Sequence, residues 1–188
     1  MMKQALLLHG TDGSPELIWI PWLKAKLEAK GYHVWAPLLP ENHTPNRETY
    51  GKFLLENSEY DLTDAILIGH SSGAVEVLNL LDDARTPHVK LAVMVSAWAG
   101  GRPNGYAAAN TQFENLFPEA GFDFAKMREK AGAISFLHSD NDPYCPLEQA
   151  QFLAEQLSAP ITIVPGGGHL GKQYAELPEL WKLIEPRL

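Results

Sequence analysis

Six short apolar runs alternate along this chain with longer stretches of helical periodicity, and that alternation constrains the fold more than any other feature. The runs are 4–9, 33–36, 64–69, 90–96, 133–139 and 160–165. They are strand-length and apolar on both faces, which demands cover on both sides. Helices are expected near 46–56, 72–81, 146–157 and 177–184. Another carries Leu17, Ile20, Leu23 and Leu27, is ended by Gly31, and starts properly near Pro21, where a missing N–H costs nothing. The prediction is an α/β architecture with a mostly parallel sheet of about six strands and helices on both faces. Its 188 residues suit one domain, 1–188. Segment 97–132 breaks the pattern with Phe113, Phe117, Phe122 and Phe124 among Gly and Asn, and reads as a small cap.

Charge narrows the function classes. The formal net charge is −8, which argues against nucleic-acid partners and anionic membranes, because both need clustered Lys and Arg. One cysteine, Cys145, forbids an intrachain disulfide and fits a reducing compartment. The start of the chain is too short in apolar residues for a secretory signal or a membrane span. A cytoplasmic location is the expectation.

The chemistry begins at Gly69-His70-Ser71-Ser72-Gly73, a G-x-S-x-G nucleophile elbow. The apolar run Ala65-Ile66-Leu67-Ile68 ends at its first glycine, and a helical pattern through Ala74, Val75, Leu78 and Leu81 follows. A serine on such a sharp turn exposes its Oγ above the sheet, and flanking glycines relieve the crowding. The helix N-terminus then faces the point where oxyanion charge develops. His70 adjoins the nucleophile, but neighbours on a tight turn point apart, so a supporting part suits it better than that of base.

The partners follow in the chain order Ser, acid, His. The fifth run ends in Asp140-Asn141-Asp142-Pro143, where Asp142 is preferred as acid and Asp140 is the competitor, able instead to shape the turn. The sixth run ends in Gly166-Gly167-Gly168-His169, which lets the loop pass close to other backbone and aim the imidazole over the strand ends. His169 is therefore the expected general base. For the oxyanion hole, the Ser72 N–H is the first donor and the Thr11 N–H the second, with Asp12 as the alternative. His9 is as well suited to ordering its loop as to catalysis.

No metal site stands out: the seven histidines show no metal-ligand spacing, and one cysteine cannot build a thiolate cluster. No Gly-rich dinucleotide loop follows a strand, and no cofactor is expected.

Together with the strand into His9-Gly10 and with Ala36-Pro37-Leu38-Leu39-Pro40, these motifs resemble the small serine hydrolases of the retinoblastoma-binding type and their bacterial YdeN-like relatives. The likeness spans almost the whole chain. It implies a reduced α/β-hydrolase fold with six parallel strands, no large lid, weakly defined substrates, and a triad on Ser71, Asp142 and His169. Two departures are visible. Tyr50 stands where members often carry tryptophan, and the L-x-C-x-E motif linked with retinoblastoma-type binding is absent around Cys145.

Trp98 and His43 follow strands and so fall toward the triad face. They are the candidate substrate-binding residues, Trp98 lining an apolar acyl pocket unless it is a packed core residue. Trp19, Trp22, Trp35 and Trp181 read as core or helix-packing residues. The leading expectation is hydrolysis of a small-molecule ester or thioester, with amides served by the same parts, through an acyl-enzyme on Ser71. The rival, from another class, is a non-catalytic interaction module that retains the fold. Oligomeric state is not legible in the sequence.

Overall fold

The computed structural model describes residues 2–57, 59–100 and 111–188. Six parallel strands form one sheet in the order β2-β1-β3-β4-β5-β6. They are β1 (Lys3–Leu8), β2 (Tyr32–Trp35), β3 (Ile66–His70), β4 (Leu91–Val95), β5 (Ile134–Ser139) and β6 (Ile161–Val164). Between and after them run α1 (Ile20–Ala29), α2 (Arg47–Leu55), α3 (Ser72–Asp82), α4 (Phe124–Glu129), α5 (Leu147–Gln156) and α6 (Pro178–Ile184).

Alternate residues along each strand feed two separate cores, as the period of two requires. Leu6, Leu8, Leu67, Met94 and Phe136 pack on one face with Leu54 of α2, Leu78 of α3, Met127 of α4 and Leu153 of α5. Leu7, Ile66, Ile68, Val93 and Leu137 pack on the other with Leu23 of α1 and Leu180 of α6. Both faces of β3 and β4 are fully buried, which is why those runs showed no polar alternation.

Local sequence accounts for the helix starts. Pro21 occupies the first turn of α1. Asn46 caps α2, its side chain accepting from the Glu48 and Thr49 N–H groups at 2.9 and 3.1 Å. Leu17 does not belong to α1: Ile18 turns through φ 53° just before the helix, and Leu17 is exposed. Trp19 and Trp35 are buried as expected, while Trp22 and Trp181 are half-buried against the second core.

The expected cap over 97–132 includes 101–110, which lie outside the described residues. Its described remainder holds a single turn at Thr111–Phe113 and the six-residue α4. The strand order reverses between β1 and β3, whose loops therefore part at the carboxyl edge of the sheet. Ligand sites of open α/β sheets form at such a crevice.

Candidate active site

Ser71 sits between β3 and α3 at φ 56°, ψ −122°, a backbone region that costs ~1–3 kcal/mol for a residue with a side chain. The flanking glycines make that turn sterically feasible. A Cβ on Gly69 would fall 2.1 Å from the Gly73 carbonyl oxygen, and one on Gly73 would fall 2.5 Å from the His9 carbonyl oxygen. The G-x-S-x-G spacing is thus a packing requirement of this turn.

The three predicted side chains meet. His169 Nε2 lies 3.0 Å from Ser71 Oγ, and His169 Nδ1 lies 2.8 Å from Asp142 Oδ2 and 3.0 Å from Oδ1. With Nδ1–H donating to the carboxylate, Nε2 is left as acceptor for the serine O–H. The Asp142 side chain is fully buried. Burial pushes its carboxyl up, but the hydrogen bond and charge of His169 and the N–H groups of Cys145 and Tyr144 outweigh it and hold the acid below its ordinary range. Those two amides reach Oδ1 at 3.0 and 2.9 Å. An ionised, fully hydrogen-bonded carboxylate can orient an imidazole and stabilise its protonated form.

Asp140, the competing acid, instead accepts from the Gly166 N–H at 2.7 Å. Asn141 accepts from the Gly168 N–H at 2.7 Å. Ser139 Oγ donates to the Gly168 carbonyl, and Gln173 Nε2–H donates to the Gly167 carbonyl at 2.7 Å. The loop carrying Asp142 therefore straps down the loop carrying His169. The His169 carbonyl is held too, by His70 Nε2–H at 2.8 Å and Ser96 Oγ–H at 3.1 Å. His70 has the supporting position expected of it. Burial first, then the neighbouring His169, push its pKa down to about 4, so it is neutral near pH 7.

At the other end of the site, the Thr11 hydroxyl donates to Ser72 Oγ at 2.9 Å, tying together the two loops expected to supply oxyanion donors. The Asp12 N–H is engaged by the Asn42 carbonyl at 3.3 Å, which favours Thr11 over Asp12 as the second donor. His9 orders its loop: its Nδ1–H donates to the Gly10 carbonyl at 2.8 Å, and its Nε2 accepts the Leu39 N–H at 2.9 Å.

The two substrate-binding candidates are held by other partners. His43 is 76% exposed and pairs through Nδ1 with Asp12 at 2.8 Å, on the rim of a shallow depression formed by residues 38–44. Trp98 is half-buried, edge-on to Phe113 at 5.3 Å and Phe117 at 5.4 Å between ring centres. Tyr144, which the sequence did not single out, is 69% exposed and lies edge-to-face with His169 at 5.0 Å. Its place two residues after the preferred acid was the available signal. Asn141, Ser96, Ser139 and Gln173 were missed as well, since a loop tether has no sequence pattern of its own. Among the described residues, Asp142, Cys145 and His169 place three metal-ligating atoms within 4.8 Å of one another.

The sequence profile of the family described as Serine hydrolase matches residues 5–185. The chain belongs to the serine hydrolase family. The hydrolase YdeN of Bacillus subtilis (strain 168) is 26% identical over 98% of this chain and 95% of its own length. Serine hydrolase RBBP9 of Rattus norvegicus is 26% identical over the same shares. The crystal structure of the B. subtilis ydeN product superposes with a TM-score of 0.85 at 25% identity, covering 98% of each chain. Est1E of Butyrivibrio proteoclasticus, at 13% identity, shares the fold with a TM-score of 0.73 over 98% of this chain and 86% of its own. This serine hydrolase is an α/β-hydrolase enzyme, and among its described residues no helix is long and apolar enough to cross a membrane.

Proposed function

We propose that this serine hydrolase cleaves small ester or thioester substrates, and amides with the same groups, through an acyl-enzyme on Ser71. The observation that carries the proposal is the continuous hydrogen-bonded line Ser71 Oγ, His169, Asp142, at 3.0 and 2.8 Å. As Oγ attacks the substrate carbonyl carbon, His169 Nε2 takes the hydroxyl proton, and Asp142 stabilises the imidazolium that forms. The Ser72 and Thr11 N–H groups receive the developing oxyanion at the start of α3. The imidazolium then returns its proton to the leaving alcohol or thiol. Water repeats the cycle on the acyl-enzyme, with His169 as base again.

The acyl group is assigned to the side of Trp98 with Phe113 and Phe117, whose rings offer apolar surface beyond the end of β4. His43 is assigned to the polar rim of the same edge. A fluorophosphonate probe tests the nucleophile directly. The native chain should be labelled at Ser71, and Ser71→Ala should remove the label. Full labelling of that variant, or none of the native chain, would overturn the proposal.

A further inference from the structure

We propose that Asp142, Cys145 and His169 form an inhibitory site for a divalent cation of the zinc class, which switches the hydrolase off by occupying the inner nitrogen of its base. The inference rests on the triad roles proposed above for Asp142 and His169, and adds the Cys145 thiol, which the proposed catalysis does not use.

The donor set is the starting point. A carboxylate oxygen, a thiol sulfur and an imidazole nitrogen lie within 4.8 Å of one another. Around tetrahedral zinc such atoms stand about 3.5 Å apart, so no pair need close by much more than an ångström, while the Nδ1–Oδ2 pair, now at 2.8 Å, opens slightly. Mixed oxygen, sulfur and nitrogen ligation suits zinc, cadmium or cobalt, whereas magnesium and calcium prefer oxygen alone. Three protein donors with one position left for water is a common zinc arrangement.

The surroundings fix this set in place. Cys145 is held three residues from Asp142 by its own N–H, which reaches Asp142 Oδ1 at 3.0 Å. Behind it, His138 Nε2–H grips the Cys145 carbonyl at 2.8 Å. The same imidazole lies 3.9 Å from Asp142 Oδ2, and its buried Nδ1 has no hydrogen-bond partner among the described residues. A second imidazole thus backs the cluster through its Nε2–H, which holds Cys145 and stands beside Asp142. Entry is from the His169 side, where the side chain is 18% exposed.

The proton balance explains the inhibition. The ring nitrogen next to the carboxylate is Nδ1, at 2.8 Å from Oδ2. A cation bound there displaces the Nδ1 proton, which the ring carries on Nε2 instead, and the Cys145 thiol proton leaves to solvent. Nothing is oxidised or reduced. A ring protonated at Nε2 donates to Ser71 Oγ and has no lone pair to accept the serine proton, so attack stops. Removing the cation restores the original tautomer.

The test uses the full chain, first stripped with a chelator, and reads two signals. One is the rate of fluorophosphonate labelling at Ser71 against zinc concentration, each protein normalised to its own metal-free rate. The other is the near-ultraviolet thiolate-to-cobalt absorption band on addition of cobalt(II). Zinc should slow labelling of the native chain, chelator should restore it, and equal magnesium should have no effect. Cys145→Ala and Cys145→Ser should each need at least ~10-fold more zinc, since even lost outer partners of a metal cost ~10- to 100-fold, and neither should show the cobalt band. Inhibition of both variants at the native zinc concentration, or a native cobalt complex without the band, would overturn the site. Should chelated protein fail to label at all, the triad reading falls, and the cobalt band still decides whether the metal binds.

Discussion

His70 donates its Nε2–H to the backbone carbonyl of His169 at 2.8 Å, so the residue beside Ser71 grips the loop that bears His169. Its low pKa keeps it neutral near pH 7, with one nitrogen fixed as donor. Edge contact from Trp19, at 6.0 Å between ring centres, locks its orientation.

His70→Ala should therefore lower kcat on an ester by ~10- to 100-fold with little change in KM, because an ångström of misplacement costs about that much. His70→Gln can present an N–H to the same carbonyl and should recover part of the loss. Steady-state kinetics with active-site titration separates this from simple loss of folded enzyme. A His70→Ala enzyme with native kcat would remove His70 from the positioning role.

The two aspartates of the acid loop should behave differently. Asp142→Asn places an amide against Nδ1 and favours the wrong tautomer, with turnover down by roughly ten-thousand-fold on the serine-protease precedent. Asp140→Asn keeps an oxygen for the Gly166 N–H and should stay within about tenfold of native activity. Ester turnover of the pair decides it, and a more damaging Asp140→Asn would reassign the acid.

Gly69→Ala should disable the turn itself. The added methyl would meet the Gly73 carbonyl group, which is backbone and cannot rotate away. Overpacking costs about 1–3 kcal/mol, occasionally more, and a clash this close with backbone belongs at ~3 kcal/mol or above, lowering Tm by roughly 6–12 °C in a chain of this size. Gly31→Ala is the control. Its φ of 83° strains an alanine, but no atom lies within 4 Å of the new methyl, so it should lose only ~1–2 kcal/mol. Thermal melts compare the two directly, and equal losses would contradict the steric account.

Glu76 on α3 makes stability depend on pH. Burial first, partly offset by Asn79 and Arg47, raises its pKa from 4.5 to about 8. Its Oε2 accepts from Asn79 at 2.9 Å, while Oε1 has no partner among the described residues. The folded state holds this proton more tightly than the unfolded chain. Its contribution is fully present below pH 4.5 and is lost as pH rises through about 8. Glu76→Gln should match native stability near pH 5 and exceed it at pH 8 by a few kcal/mol, since each tenfold difference in proton affinity between the folded and unfolded chain is worth about 1.4 kcal/mol. Urea unfolding at both pH values reads the difference. Parallel profiles would mean that Glu76 ionises as freely as a surface carboxylate.

Most of this architecture was visible in the residue order because doubly covered strands have no polar face to confuse the pattern. β3 and β4 were bounded closely by their apolar runs, and Pro21 marked the start of α1 through its fixed φ. Leu17 was misplaced because the backbone reversal at Ile18 leaves no trace in side-chain periodicity. The positions of Ser71, Asp142 and His169 were legible since each lies in the loop that follows a strand, in one fixed order. Asp140 and Asn141 were not legible as tethers, because their partners, Gly166 and Gly168, come beside them only once β5 and β6 are paired. His43 follows β2 as expected, and its pairing with Asp12 was not legible, because Asp12 comes beside it only once β1 and β2 are paired.

The strand β6 borders the sheet and pairs with β5 alone, whereas Ser71 directly follows β3, a central strand paired on both sides. Edge elements fray before the middle of a domain opens. Warming should thus swing the histidine-bearing loop away while Ser71 is still held in an intact scaffold, and this enzyme would fall silent well before it melts.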